Sequence, residues 1–484
     1  MDTAETTTIV RRFLALPGEK QRMFWQSLQE DGIDFGLLPI PDGVATGELR
    51  APSYAQRRMW LLWKLDPATS AYHVASTQRL LGALDADALE HAFTSLTQRH
   101  ETLRTTFVET EDGLAQQVHK RLAPCLGHHD LSALARVLAE ERLEALIQAA
   151  VQAPFDLAAG PLLRVHLCRL AAEEHVLVLV MHHIVSDAWS LQVLVRDLAQ
   201  LYIERARGLP SRLPALSVQY ADYALWQRCW LEAGEGERQL AYWTAQLGKC
   251  DAVLELPTDR PRPAIWSYDG SSIAFTIPKA QVSGLRALTQ SHRATLFMVL
   301  LAAFKALLYR WSGQDDLRVG VPIANRYRSE IEDLVGFFVN TQVLRTQVDG
   351  RQGFTSLLEQ VRDAALGAQA HQDLPFERLV EAMRPERSLS HNPLFQVMYN
   401  HAEANRLGEA QAVTGLQIEP LPQLHTTTQF DLSLTTAELA GGGVECRLSY
   451  ARALFTPATI ERLRAHFLTL LAGLLADPEQ PLDS

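Results

Sequence analysis

The run HVLVLVMHH, residues 175–183, constrains this chain more than any other stretch. Val176 to Met181 are uninterrupted apolar residues, alternating valine with leucine or methionine. A strand with one wet face would alternate with polar residues, so this pattern predicts a strand covered on both faces, as at the centre of an α/β sheet. The segment LQVLVRDLAQLY follows it and puts Leu191, Leu194, Val195, Leu198, Leu201 and Tyr202 on one helical face. His182 and His183 therefore stand at a strand end, just ahead of a helix.

The same alternation continues along the chain. DADALEHAFTSLTQRH is an amphipathic helix with Asp85 or Asp87 as N-cap, and TLRTTFVE and LAQQVH read as paired strands around the turn EDG. A long helical stretch follows at 220–247. Beyond the proline-rich segment 256–270 come strand SIAFTIP, helix TLFMVLLAAFKALLYRW, strand DLRVGVPIAN, a hairpin at LAGGGVE and a last helix with Thr456 as N-cap and Pro457 at its first position. With 484 residues the chain exceeds what one core supports. It predicts an α/β protein with a helical leader and linker at 1–48 and two lobes, 49–225 and 226–484.

Composition narrows the class. A net charge of -11 spread along the chain argues against a nucleic-acid binder. Cys125, Cys168, Cys229, Cys250 and Cys446 are far apart with no CxxC pair, which argues against a disulfide framework and a structural zinc and favours a reducing cytoplasm. The N-terminus is too polar for a signal peptide, and no stretch reaches the 18 or so apolar residues of a membrane span.

The chemistry concentrates in VMHHIVSDAWS, residues 180–190. Neighbouring side chains on a strand point to opposite faces, so His182 and His183 do not chelate one metal, and no other cluster has ligand spacing. Asp187 is placed to cap the next helix. A second HHD, His128-His129-Asp130, lacks a buried strand before it and reads as solvated loop.

Around this stretch lie other motifs in a fixed order. SYAQRRMWLL (53–62), RHETLRTTF (99–107), MHHIVSDAWS, YADYALWQR (220–228), VGFFVNTQVLR (335–345), HQDLPFERLV (371–380) and SHNPLFQVMY (390–399) resemble the successive motifs of nonribosomal peptide synthetase condensation domains, whose signature is HHxxxDG. The resemblance covers nearly everything after the leader.

That resemblance implies two chloramphenicol-acetyltransferase-like lobes in a V-shaped pseudo-dimer with a tunnel between them. It implies an acyltransferase that forms a peptide bond: an aminoacyl amine on one carrier protein attacks the acyl or peptidyl thioester on another. The substrates arrive on phosphopantetheine arms, and the domain itself binds no cofactor. Donor and acceptor carriers and an adjoining adenylation domain are the implied partners of an otherwise monomeric domain. His183 is the implied general base or amine-positioning group and His182 a structural neighbour. Asp187 is expected to pair with Arg326 of the second lobe. Ala188, Trp189 and Ser190 open the helix at the active site, with the backbone N–H near Ala188 a candidate oxyanion donor, and Asn340 and Thr341 are expected to line the tunnel. Tyr220, Tyr223 and Trp226 are read as lobe packing, Arg99 and Arg104 as intralobe ion pairs, and Gln372, Asp373, Pro375 and Phe376 as a turn. Ala188 departs from the family glycine, and its methyl would be unwelcome if that position required a positive φ. The motif set favours condensation over epimerisation, heterocyclisation or a non-catalytic recruitment domain. It leans toward the subtype taking a donor that ends in a D-residue.

Overall fold

Strand Glu174–His182 sits inside a six-stranded sheet in the order Gln411–Val413, Leu416–Pro420, His73–Leu81, Glu174–His182, Leu163–Ala171, Cys125–Asp130. Every residue from Val176 to Met181 is buried. One face packs on helices Ala86–Arg99 and Ala188–Ala206 through Leu89, Phe93, Leu177, Leu179, Met181, Leu194 and Leu198. The other is crossed by helix Arg136–Gln152. Covered faces explain the continuous apolar run. All pairings are antiparallel except Cys125–Asp130 on Leu163–Ala171. The computed structural model describes residues 3–248, 253–384, 388–402, 411–413, 415–421 and 427–484; Cys250 lies outside them.

A second six-stranded sheet runs Asn340–Gln347, Asp316–Ile323, Val397–Ala402, Leu432–Glu438, Val444–Ala451, Gly270–Ile277. Its core helix, Leu296–Ser312, is apolar nearly all round and buried along most of its length, beneath helices Phe354–Gln369 and Pro457–Ala476. Thr456 precedes the last helix but makes no side-chain cap; its N–H and hydroxyl instead donate to Asp259, 2.7 and 3.1 Å away.

Several expectations need correction. The split at 225/226 does not hold, because the chain leaves each unit and returns. One unit comprises residues up to Arg238 with Ala324–Val339 and the segment carrying Leu416–Pro420; the other holds the remainder. The first 48 residues are no detached leader. Val10, Phe13, Leu28, Phe35, Leu38 and Ile40 are buried against Trp226, Trp230, Ile331 and Phe338. His128, His129 and Asp130 lie in an edge strand, not a loop; an edge strand with polar residues lacks a local pattern when its parallel partner is far along the chain. The 220–247 stretch is two helices, Tyr220–Trp230 and Gly236–Leu247. They are broken at Gly234, whose φ of 140° is open to glycine and whose Cβ would meet Trp25 at 2.5 Å.

Lys305 is fully buried in the second core, its Nζ 2.7 Å from the Leu344 carbonyl, 3.0 Å from the Thr346 hydroxyl and 3.3 Å from the Leu317 carbonyl. Burial pushes its pKa down to about 7. Its folded value is below its unfolded one, so the unfolded chain binds more protons between them and stability rises with pH over that window. Urea unfolding of the parent and Lys305→Met at pH 7 and pH 9.5 should show the parent gaining on the variant by up to about 1.4 kcal/mol per pH unit. A pH-independent gap would show that the amine is not held neutral.

Candidate active site around His183

The strand ends at His182, and a short turn, His183–Val185, leads to Asp187 and the helix Ala188–Ala206. His182 is buried, and its Nδ1 accepts the Ile184 N–H at 3.1 Å. Burial, with His73 and His183 beside it, lowers its pKa to about 3, so it stays neutral and holds the turn. His183 is only partly covered. Its Nδ1 lies 2.7 Å from the Ser186 carbonyl oxygen. A carbonyl only accepts, so Nδ1 carries the proton and Nε2 keeps its lone pair. Burial lowers the imidazole pKa, with the Asp187 charge and the Ser186 carbonyl opposing it. The Phe337 ring packs 4.7 Å from the imidazole, centroid to centroid.

Asp187 is the N-cap: its Oδ1 accepts the Ser190 N–H at 2.7 Å. The same oxygen takes Arg326 Nη2 at 3.2 Å, and Oδ2 takes the Phe338 N–H at 3.0 Å. Both side chains of the Asp187–Arg326 pair are wholly buried. Arg326 also donates to the Ile331 and Leu334 carbonyls, at 2.8 and 2.7 Å, and to Ser190 Oγ at 2.6 Å, and lies over the Phe338 ring. Ser190 Oγ in turn donates to the Gly336 carbonyl at 2.7 Å. The pair was expected across the two lobes; it lies within the first unit, because Ala324–Val339 folds there although the strand before it does not. The Asp187 carboxylate is committed to these partners and the imidazole to the Ser186 carbonyl, so the site is not a carboxylate–histidine relay.

Ala188 is exposed at the start of the helix, and the non-glycine residues with positive φ among those described are Arg293, Asn325, Arg384 and Leu394. The backbone conformation at this position therefore makes no demand for glycine. Trp189 Nε1 donates to the Glu332 carbonyl at 2.9 Å. Asn340 and Thr341 belong to the second unit. The Asn340 amide donates to the Gln372 and Leu374 carbonyls and accepts from the Phe376 and Thr341 N–H groups, which makes it a clamp on the 372–376 turn. Arg99 pairs with buried Asp197 and Arg104 with Glu101, each inside the first unit.

Sequence reasoning missed the 336–338 turn as the floor of the site. Tyr220 Oη donates to the Phe337 carbonyl at 2.6 Å and lies 2.9 Å from Ser53 Oγ. A Cβ on Gly336 would come within 2.1 Å of the Tyr220 ring. Three separate motifs thus meet over Asp187, and their fixed order was the one available signal. Among the described residues no group of three or more His, Cys, Asp or Glu is placed to hold a metal.

Residues 51–484 match the family model for the Condensation domain. One of the linear gramicidin synthase proteins of Brevibacillus parabrevis is 44% identical over 432 residues, 89% of this chain and 6% of that protein. The chain spans between 6% and 9% of the three gramicidin synthase proteins it matches. The X-domain solved in complex with OxyB from teicoplanin biosynthesis is 29% identical with a TM-score of 0.83, covering 92% of this chain and 97% of that one. The first condensation domain of the calcium-dependent antibiotic synthetase, solved with a substrate analogue, shares the fold at 22% identity and a TM-score of 0.71, covering 90% and 99%.

Asp187→Asn replaces one of the carboxylate's acceptor oxygens with an amide NH2 and strands the Arg326 charge. It should cost about 3–5 kcal/mol in denaturant unfolding. A loss below about 1 kcal/mol, the size of an exposed pair, would mean that this pair does not hold the loop.

Proposed function

The chain belongs to the condensation-domain family of nonribosomal peptide synthetases, a family of peptide-bond-forming acyltransferases, and from that premise we propose that His183 assists attack of a carrier-bound aminoacyl amine on a carrier-bound acyl or peptidyl thioester. The observation that carries this reading is the Nδ1–H···O=C bond to Ser186, which leaves Nε2 as acceptor on a partly exposed ring.

An α-ammonium has a pKa near 8 and gives one proton to solvent to become the attacking amine, which sheds a second proton as the N–C bond forms. Nε2 either takes that proton or holds the amine with its lone pair toward the carbonyl. The N–C bond forms first, giving a tetrahedral oxyanion; its collapse breaks the C–S bond, and the proton passes to the departing thiolate. The lengthened chain stays on the acceptor arm, and no diffusible cofactor enters. The N–H groups at the start of helix Ala188–Ala206 are the proposed donors to the tetrahedral oxyanion. A thioester is already activated, so juxtaposition of the two arms, worth about 7–11 kcal/mol, outweighs the base. We place the adjoining adenylation domain and two carriers as partners, in the cytoplasm, and lean to a D-terminated donor. Donors of both configurations on the same carrier test that last point.

A recruitment domain of the same fold would bind loaded carriers and yield no product. The retained Nε2 favours catalysis. With both carriers loaded, mass spectrometry of the acceptor carrier should show condensed product, and His183→Ala should lower its rate by about 100- to 10,000-fold. Binding of carriers with no product from the parent would leave only recruitment.

The pH dependence follows in sign. Burial depresses the His183 pKa below its usual 6.5, so the neutral base persists above that value and activity is lost as pH falls beneath it. Condensation rates from pH 5 to 8 should show an acid limb below about 6.5 that His183→Ala lacks; the same limb in the variant would assign it to another group.

A further inference from the structure

We propose that residues 33–45 are a strap that positions the active site, and that Arg328 is the positioning residue through which it acts. Arg328 is buried, and its two terminal nitrogens donate to the carbonyl oxygens of Gly36 and Leu38. Its guanidinium lies 4.8 Å from the centroid of the Trp226 ring. Glu330, 3.1 Å from Arg328, accepts the Ile40 N–H at 3.3 Å. Further along the strap, Asp222 Oδ1 takes the Val44 and Ala45 N–H groups, both at 2.9 Å. The approach is close: a Cβ on Gly36 would meet the Trp230 ring at 2.9 Å.

The loop 324–339, held from one side by the strap, holds the catalytic turn from the other. Arg326, two residues before Arg328, grips Asp187 and Ser190. Phe337 packs on His183, and the Phe338 N–H reaches Asp187. The loop has one helical turn of its own, Ser329–Glu332, too short to define its path. Its conformation is therefore set by what grips it, and the strap supplies two of the grips. Loosening them frees Arg326 and Phe337 to shift, and the Ser186 carbonyl that fixes the His183 tautomer sits beside the residue Arg326 anchors. Arg328 touches no reacting atom; it acts through Arg326 and Phe337.

The inference rests on the reading of His183 as the base, and its test separates the two. Nitrogen-15 NMR of histidine-labelled full chain should show parent His183 as the Nδ1–H tautomer. In Arg328→Met an Nε2–H population should appear, and condensation kcat should fall by about ten- to a hundredfold with KM for either carrier unchanged. Arg328→Lys, able to reach one carbonyl, should fall between. If Arg328→Met does not fold, Glu330→Ala, which removes the Ile40 contact at a half-buried site, should show the same signature in weaker form. A His183 signal identical to the parent's in the folded variant overturns the strap, even with turnover reduced. A parent that shows the Nδ1–H tautomer but makes no product sinks the catalytic reading and leaves the strap to be judged by the NMR signal.

Discussion

The buried pair of Asp187 and Arg326 is the constraint on which the rest of the site depends. Taking two charges out of water costs several kcal/mol each, and their mutual attraction alone does not repay it. Here the deficit is met by further bonds. The carboxylate takes two backbone N–H groups, and the guanidinium gives to two carbonyls and a hydroxyl. Those partners come from three places: the start of helix Ala188–Ala206, the turn after Ile331 and the turn at 336–338. An apolar pair of the same volume would fill the space without directing any of the three. The charge pair fixes their relative positions because each bond is directional.

Much of this was legible. The apolar run at 176–181 located a central strand, and the spacing after it located the helix whose N-cap is Asp187. Asp85 caps its helix through the Ala88 N–H at 2.9 Å, and the EDG turn joins its two strands, as turn and cap chemistry require. The partner of Asp187 was also identified, though through resemblance and not through any feature local to Arg326.

What escaped were relations between distant segments. Periodicity reports which face of an element is buried and is silent on what buries it. The N-terminal helices carry ordinary amphipathic patterns, and it is the packing of Phe13 on Phe35, and of Phe35 on Trp226, that shows that they belong to the first unit. Segment 324–339 follows a strand of one sheet and packs in the unit of the other, a detour that its apolar run at 334–339 does not announce. Asn340 makes hydrogen bonds that no local pattern announces. A polar residue beginning a strand is equally suited to a substrate or to a turn, and here the side chain gives two bonds to the turn and takes one from it.

The partner of His183 changes what the site is built to do. In a carboxylate–histidine arrangement the acid steadies an imidazolium, which favours a base that holds its proton through a long-lived charged state. A backbone carbonyl fixes the same tautomer with a partial charge, and burial works against protonation of the ring. The imidazole is thus suited to brief proton contact and to orientation. That fits the proposed activated acyl donor, whose thiolate leaving group takes up the proton at the end of the step. The full charge of Asp187 is committed to holding the loop in place, so in the proposed reaction most of the barrier reduction comes from where the two arms are held and a smaller part from the strength of the base.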